Sequence, residues 1–207
     1  DVDFKLLALP GIRVEQVTNK ALAMAEERFD TFYVMDIEEV TAAGAVVTGS
    51  QDVPDPSETA ARFRSRVFAS SFGAVYFPDI EMSDPSGEST ATFFTPPSIS
   101  AVRVFSRLDA AGNVFAPAGQ QRGVISPNDQ SKAIQAKVKF DQTQKETIKT
   151  LYDVGINPII AGDGSPLMLY GQRTLLTEVS SLMQRISIRR MVIDIRRGVK
   201  NVAKGFL

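Results

Sequence analysis

The sequence of 207 residues contains no cysteine, no histidine and no tryptophan. Without cysteine there is no disulfide bond, no thiolate ligand for a metal and no cysteine nucleophile. Without histidine there is no Ser-His-Asp triad and no imidazole ligand for a metal. A site for Mg²⁺ or Ca²⁺ made of carboxylates alone stays open. The missing residue types therefore exclude several common catalytic arrangements.

The chain also lacks a long apolar run and an excess of charge of one sign. No apolar stretch approaches about 18 residues, so we expect no membrane-spanning helix. The 23 lysines and arginines and the 24 acidic residues give a net charge of −1. This balance gives no reason to expect overall attraction to nucleic acid or to a membrane. The chain begins at Asp1 and ends at Leu207 without targeting signals, so we expect a fragment of a longer protein lacking both terminal regions.

Apolar patterning in the first 80 residues predicts strands that alternate with helices. Helical spacing of apolar residues predicts a helix over 14–29 and a second one from Ser57, its predicted cap, to Phe68. Strand, helix, strand, helix, strand is typical of a parallel sheet with covering helices. We therefore predict an α/β (mixed α+β) fold with a largely parallel sheet. The predicted strands are 4–9, 31–37 and 73–77.

The rest of the chain predicts further helices, a hairpin and an irregular insertion within one compact domain over 1–207. The turn at 162–165 contains Gly162 and Gly164 but lacks the Lys-Ser/Thr pair of a phosphate-binding loop, so we interpret it as a hairpin turn. The predicted segments are a loop at 41–56, a polar, turn-rich stretch at 81–95, helices at 96–109 and 142–152, an irregular or β insertion at 110–140, and paired strands at 156–161 and 166–170.

The segment 182–207 predicts a long amphipathic helix with two stripes. At about 100° per residue, the apolar side chains fall on one side, and we expect them to pack on the core. Seven cations form a second stripe, which is a solvated face, a nucleic-acid surface or a docking surface for an acidic protein partner. The apolar stripe is Ile188, Met191, Val192, Ile195, Val199, Val202 and Phe206. The candidate interface residues are Arg185, Arg189, Arg190, Arg196, Arg197 and Lys200.

Acidic residues at the ends of two predicted strands suggest one catalytic alternative. Asp36, Glu38 and Glu39 cluster at the end of the second strand, and Asp79 follows the third. Ligands of open α/β sheets often bind at this edge, and carboxylates there could hold Mg²⁺. No nucleophile, base or phosphate loop accompanies them, so we prefer the interpretation that these acids cap turns and helices.

Six segments of the chain occur in the order and with the spacing of the motifs of one protein family. The segments are 71–80 (SFGAVYFPDI), 95–102 (TPPSISAV), 107–119 (RLDAAGNVFAPAG), 155–159 (GINPI), 170–175 (YGQRTL) and 186–191 (ISIRRM). They resemble segments of the contractile bacteriophage tail sheath proteins. Phe115 and Tyr170 stand where that family often has tryptophan, and Tyr152 stands in place of an asparagine.

The resemblance implies a structural role without catalysis, cofactor or metal. Sheath subunits of this family polymerise as stacked hexameric rings around a tail tube and contract to drive the tube through the host envelope. The implied partners are other sheath subunits, the tail tube and the baseplate, with no nucleic acid and no membrane. The implied location is the virion tail, assembled in the host cytoplasm.

The alternative to the sheath hypothesis is an α/β enzyme or nucleotide-binding domain with a carboxylate Mg²⁺ site.

Overall fold

The structure, a computed structural model, describes residues 4–84, 91–114, 117–125, 133–140, 143–162, 165–177 and 180–205. Its helices are α1 (Glu15–Arg28), α2 (Pro56–Arg64), α3 (Pro97–Ala110), α4 (Lys145–Asp153) and α5 (Ile186–Lys204), with a 3-10 turn at Leu182–Gln184. Its strands are β1 (Leu6–Ala8), β2 (Phe32–Met35), β3 (Gly73–Phe77), β4 (Ile80–Ser83), β5 (Thr92–Thr95), β6 (Ala133–Ala136), β7 (Ile156–Gly162) and β8 (Ser165–Leu169).

The main sheet has five strands in the order β1-β2-β3-β7-β8. The first four strands are parallel, with Val34 opposite Ala74 and Val75 opposite Ile156, and β8 runs antiparallel to β7. Every residue of β2 and β3 is buried, as expected of parallel strands with both faces covered. The predicted mixed fold, its largely parallel sheet and its hairpin are therefore confirmed. Residues 163 and 164, at the predicted turn, lie outside the described residues.

A second, antiparallel sheet has the order β5-β4-β6. The prediction that 81–95 is only polar and turn-rich is wrong, because β4 and β5 lie within it or at its edge. These strands have only four residues each and include polar side chains, so their periodicity is weak. β4 pairs with β5 directly, and its other edge pairs with β6, about fifty residues further on, where Gln135 lies opposite Glu81. The predicted insertion at 110–140 thus contributes a strand, and its residues 115–116 and 126–132 lie outside the described residues.

Helices cover the main sheet and close one hydrophobic core. Phe105 of α3 packs edge-on against Phe32 and Tyr76 at ring distances of 6.2 Å, so the second and third strands share one cover. The predicted cap of α2 is wrong: Asp55, not Ser57, accepts a hydrogen bond from the Glu58 amide at 2.8 Å. Among the residues that the structure describes, no helix is long and apolar enough to cross a membrane.

The Asn157 side chain joins the hairpin strand β7 to the neighbouring strand β3 and to the segment that follows β8. The amide of Asn157 donates to the carbonyls of Val75 (2.9 Å) and Arg173 (2.8 Å), and its oxygen accepts from the Arg173 backbone N–H at 2.6 Å. A side chain at Gly171 would place its Cβ 2.6 Å from Asn157 Oδ1. The GINPI and YGQRTL segments are therefore adjacent in the structure, and Gly171 leaves the room that Asn157 needs.

Candidate interface

The orientation of α5 is the reverse of the predicted one. Its buried residues are Ile186, Arg190 and Ile193, whereas Ile195 is 58% exposed and Val199 63% exposed. The expectation that the apolar stripe packs on the core is therefore wrong, and three cations of the basic stripe, Arg189, Arg190 and Arg197, face the rest of the chain instead. The buried Ile186 and Ile193 lie among the cations of the basic stripe, and several of these cations contact acidic and aromatic groups on the rest of the chain. Periodicity finds the stripes of a helix but not the surface that each one meets.

Arg190 is the most buried of the six candidate cations, with 3% of its side chain exposed. It forms an ion pair with Asp109 at the end of α3, and its guanidinium lies 4.3 Å from the centre of the Phe105 ring. The neighbouring Arg189 lies 4.2 Å from the centre of the Phe72 ring and donates to the Ser71 hydroxyl. These two arginines therefore join α5 to the core helix α3 and to the start of β3.

The second half of α5 contacts the segment that connects α1 to β2. Arg197 donates to the carbonyl oxygens of Phe4 (3.2 Å) and Asp30 (3.4 Å), and Lys200 Nζ lies 3.6 Å from Asp30 Oδ2. Burial acts to raise the pKa of Asp30, but the Arg28 charge, then the hydrogen bond from Thr31 and then the α5 cations outweigh it and hold that pKa below its ordinary value. Asp30 is therefore a buried carboxylate at the centre of a cationic cluster.

The six candidate residues divide into two groups. Arg189, Arg190 and Arg197 are buried or half-buried against the rest of the chain, whereas Arg185, Arg196 and Lys200 are exposed. The guanidinium of Arg196 lies 4.9 Å from the centre of the Phe29 ring, and the backbone of Arg185 forms a bridge with Arg173. Contact of these residues with another subunit stays a prediction. Sequence reasoning missed the partners of Arg190 and Arg197 because Asp109 and Phe4 lie 81 and 193 residues away along the chain.

At the carboxyl edge of the main sheet, Asp36 caps α3. Its carboxylate accepts hydrogen bonds from the Gly11 amide (3.0 Å), the Ser98 amide (3.1 Å) and the Ser98 hydroxyl (2.7 Å). Pro96, before the helix, supplies no side-chain cap, so Asp36 satisfies a free N–H of the first turn from another element. The interpretation of this strand-end acid as a cap is therefore confirmed.

The other acids of this edge are occupied by donors of the same chain. Arg13 binds both oxygens of Asp79, at 2.6 and 2.7 Å, and Arg62 pairs with Glu38. Glu39 is 2% exposed and accepts from the Asp79 amide at 2.9 Å. Burial, followed by the nearby Asp79 charge, raises the pKa of Glu39 above its ordinary value. Within the described part of the chain, no group of three or more His, Cys, Asp or Glu residues is placed to hold a metal ion.

Comparison with known proteins gives a consistent structural result. No protein-family model and no curated protein matches the chain. Among solved structures, it is similar to a chain of the anti-feeding prophage (AFP) baseplate, six-fold symmetrised, with a TM-score of 0.67 and 21% identity over 99% of this chain and 47% of that one. The PVC sheath complex of an extracellular contractile injection system, in its contracted state, gives 0.66 and 20% over 98% and 48%.

A third similar structure is the contracted helical sheath of the anti-feeding prophage, with a TM-score of 0.63 and 23% identity over 98% of this chain and 47% of that one. The chain thus spans about half the length of the proteins that it matches. The similarity covers the parallel sheet, the second sheet and the described length of α5 together, because nearly the whole chain aligns. The fold of this chain is the fold of contractile sheath proteins, and the predicted resemblance to that family is confirmed at the level of the fold.

Proposed function

We propose that the chain is part of a structural subunit of a contractile tail sheath. The observation that carries the proposal is the fold match over 98% or more of the chain to sheath complexes of two contractile injection systems. In this proposal the subunits polymerise as stacked hexameric rings around a tail tube, attach to a baseplate, and contract to drive the tube through an envelope. The assembled particle is a phage or phage-like tail, built in the cytoplasm of the producing cell.

The proposed role needs no bound nucleotide, metal or chemical step. The output is movement, so the free energy comes from subunit contacts that differ between an extended and a contracted state. The carboxylates that an enzyme of this fold class would use at the sheet edge are engaged by Arg13, Arg62 and backbone amides. This engagement supports a structural role for the sheet edge, and neither nucleic acid nor membrane is part of the proposal.

Cations on α5 are the proposed contacts to an acidic surface of the tube or of a neighbouring subunit. Of the six candidates, exposure favours Arg185, Arg196 and Lys200, because Arg189, Arg190 and Arg197 are buried or half-buried against the rest of the chain. Surface charges of this kind set orientation and association rate more than they set affinity.

The test is negative-stain electron microscopy of the natural gene product that contains this chain. We expect tubes of regular helical repeat, and we expect the double variant Arg185→Glu/Arg196→Glu to lose them while keeping its melting temperature within a few degrees. The matched control is Lys20→Glu, a charge reversal on the exposed side of α1, which should leave the tubes intact. Normal tubes from the double variant would remove these two cations from the proposed contact.

A further inference from the structure

The outer face of α5 is an apolar surface without a cover among the described residues. Large aliphatic side chains there are far more exposed than a packed helix face allows: Met191 is 42%, Ile195 58%, Val199 63% and Val202 64% exposed. They recur at intervals of three and four residues, about 180° around the helix from the buried Ile186 and Ile193. From residue 188 to residue 202 this stripe is about 21 Å long. We call it the outer stripe, and it also includes the half-buried Ile188 and Val192.

The two borders of the outer stripe differ in charge. One border carries Arg185 and Arg196, both exposed, whereas Lys200 lies nearer the inner face and pairs with Asp30. The opposite border carries Ser187, Gly198 and Asn201, and its only acid, Asp194, forms an ion pair with Lys5. A partner that covers the stripe therefore meets cations along one side only.

We propose that the outer stripe binds an amphipathic helix of a partner, with an apolar seam bordered on one side by a row of carboxylates. Spacings of three and four residues are those of helix-to-helix packing, in which side chains of one helix fill gaps of the other. The apolar seam supplies the burial, and carboxylates opposite Arg185 and Arg196 fix the direction in which the partner helix lies. This inference goes beyond the sheath assignment, because it rests on the exposure and charge of α5 alone.

The charge pattern argues against a second copy of the chain as the occupant. A two-fold antiparallel pair of α5 helices would bring the cationic borders of the two copies together, which is unfavourable. A parallel pair would place each cationic border against the side that carries Asp194, whose carboxylate already binds Lys5.

A lipid surface also fits less well than a helix. Membrane-surface helices carry their cations on a polar face turned away from the bilayer. On α5 that face is turned to the rest of the chain, where Arg190 and Arg197 bind Asp109 and the carbonyl of Asp30.

Two synthetic helical peptides of about three heptads test the proposal with the 207-residue chain. Both have leucine at the seam positions; the acidic probe has glutamate along one border, and the basic probe has lysine there. By fluorescence anisotropy, we expect the acidic probe to bind at least about tenfold more tightly than the basic one. Ile195→Gln/Val199→Gln should weaken its binding about 100-fold, and the matched exposed variant Asn201→Gln should not change it. Arg196→Glu should reverse the preference between the probes.

Folding of each variant is checked by its thermal transition, and the outcomes separate the possible occupants. Absence of binding, equal binding of the two probes, or binding that survives in the double variant would overturn the proposal. So would dimerisation of the natural chain that the double variant abolishes, because the occupant would then be a second copy. Sedimentation with phosphatidylglycerol-containing vesicles that the double variant abolishes would overturn it in favour of a membrane. None of these results depends on whether the gene product forms a sheath.

Discussion

The inner and outer faces of α5 differ in what their side chains meet. On the inner face, guanidinium groups lie against carboxylates, carbonyls and aromatic rings, as Arg190 does with Asp109 and Phe105. On the outer face, aliphatic side chains such as Ile195 and Val199 lie in solvent. Hydrophobicity alone would place the outer stripe inside. The difference shows that partners elsewhere in the chain, rather than the polarity of the helix itself, decide which face packs.

The largest expected effect is the loss of the buried cation of the inner face. Arg190→Ala would leave Asp109 without its partner in a largely buried position, and we expect it to lower the free energy of unfolding by about 3 kcal/mol. In a thermal melt this corresponds to a fall of at least about 6 °C for a chain of this length. The matched control is Arg196→Ala on the exposed border, with an expected cost below about 1 kcal/mol. Equal small effects at the two positions would contradict the difference between the faces.

The next effect concerns the contact between the two hairpin motifs. Gly171→Val would push a side chain onto Asn157 and disturb its hydrogen bonds to Val75 and Arg173, at an expected cost of about 2 kcal/mol. Gly198→Ala is the control at a glycine with open space around it, and it should raise stability by about 0.5–1 kcal/mol through helix propensity. Chemical denaturation measures both changes. A Gly171 variant as stable as the natural chain would show that the motif contact is not required.

A smaller effect depends on pH and concerns Glu39 at the carboxyl edge of the main sheet. Since burial raises the pKa of Glu39 to about 8, between the ordinary glutamate pKa and that value the folded state holds a proton that the unfolded state has released. The contribution of this proton to stability is therefore fully present below the ordinary glutamate pKa and is lost as the pH rises from there through the folded-state pKa. Glu39→Gln, which mimics the protonated carboxyl, should raise the melting temperature at neutral pH by about 2 °C or more and leave it unchanged near about pH 4. The same gain at both pH values would contradict a proton on Glu39.

The smallest effect is expected on the outer face itself. Ile195→Gln/Val199→Gln removes two exposed aliphatic side chains and introduces a better helix former, so the free energy of unfolding should change by less than about 0.5 kcal/mol. Urea denaturation of the isolated chain measures this change. A loss of more than about 1 kcal/mol would mean that these side chains pack within the chain, and that the outer stripe is not a free surface.

The parallel sheet was predictable because its buried strands are short apolar runs, each next to a segment whose apolar residues recur with helical spacing. The hairpin of β7 and β8 was predictable for the same reason, with a turn between two apolar runs. The strands β4 and β5 were not, because four-residue strands with residues such as Glu81 have little periodicity. The strand β6 falls in the segment predicted as an irregular or β insertion, but its pairing with the distant β4 carries no local signal.

The candidate site was predictable in its residues but not in its orientation. The stripes of α5 follow from its sequence, yet Asp30, Asp109 and Phe105, which hold the basic stripe inward, are distant in the chain and carry no local signal. The sequence already favoured caps over a metal site for the acids at the sheet edge, because no companion base accompanies them. Their pairing with Arg13 and Arg62 needed the structure.

Cryo-electron microscopy of the natural gene product under polymerising conditions tests the central claim most directly. The account predicts a helical wall in which this fold repeats at regular intervals and in which the outer stripe of α5 is covered by a helix. A gene product that stays dispersed, or a wall in which the outer stripe faces solvent in every subunit, would contradict it.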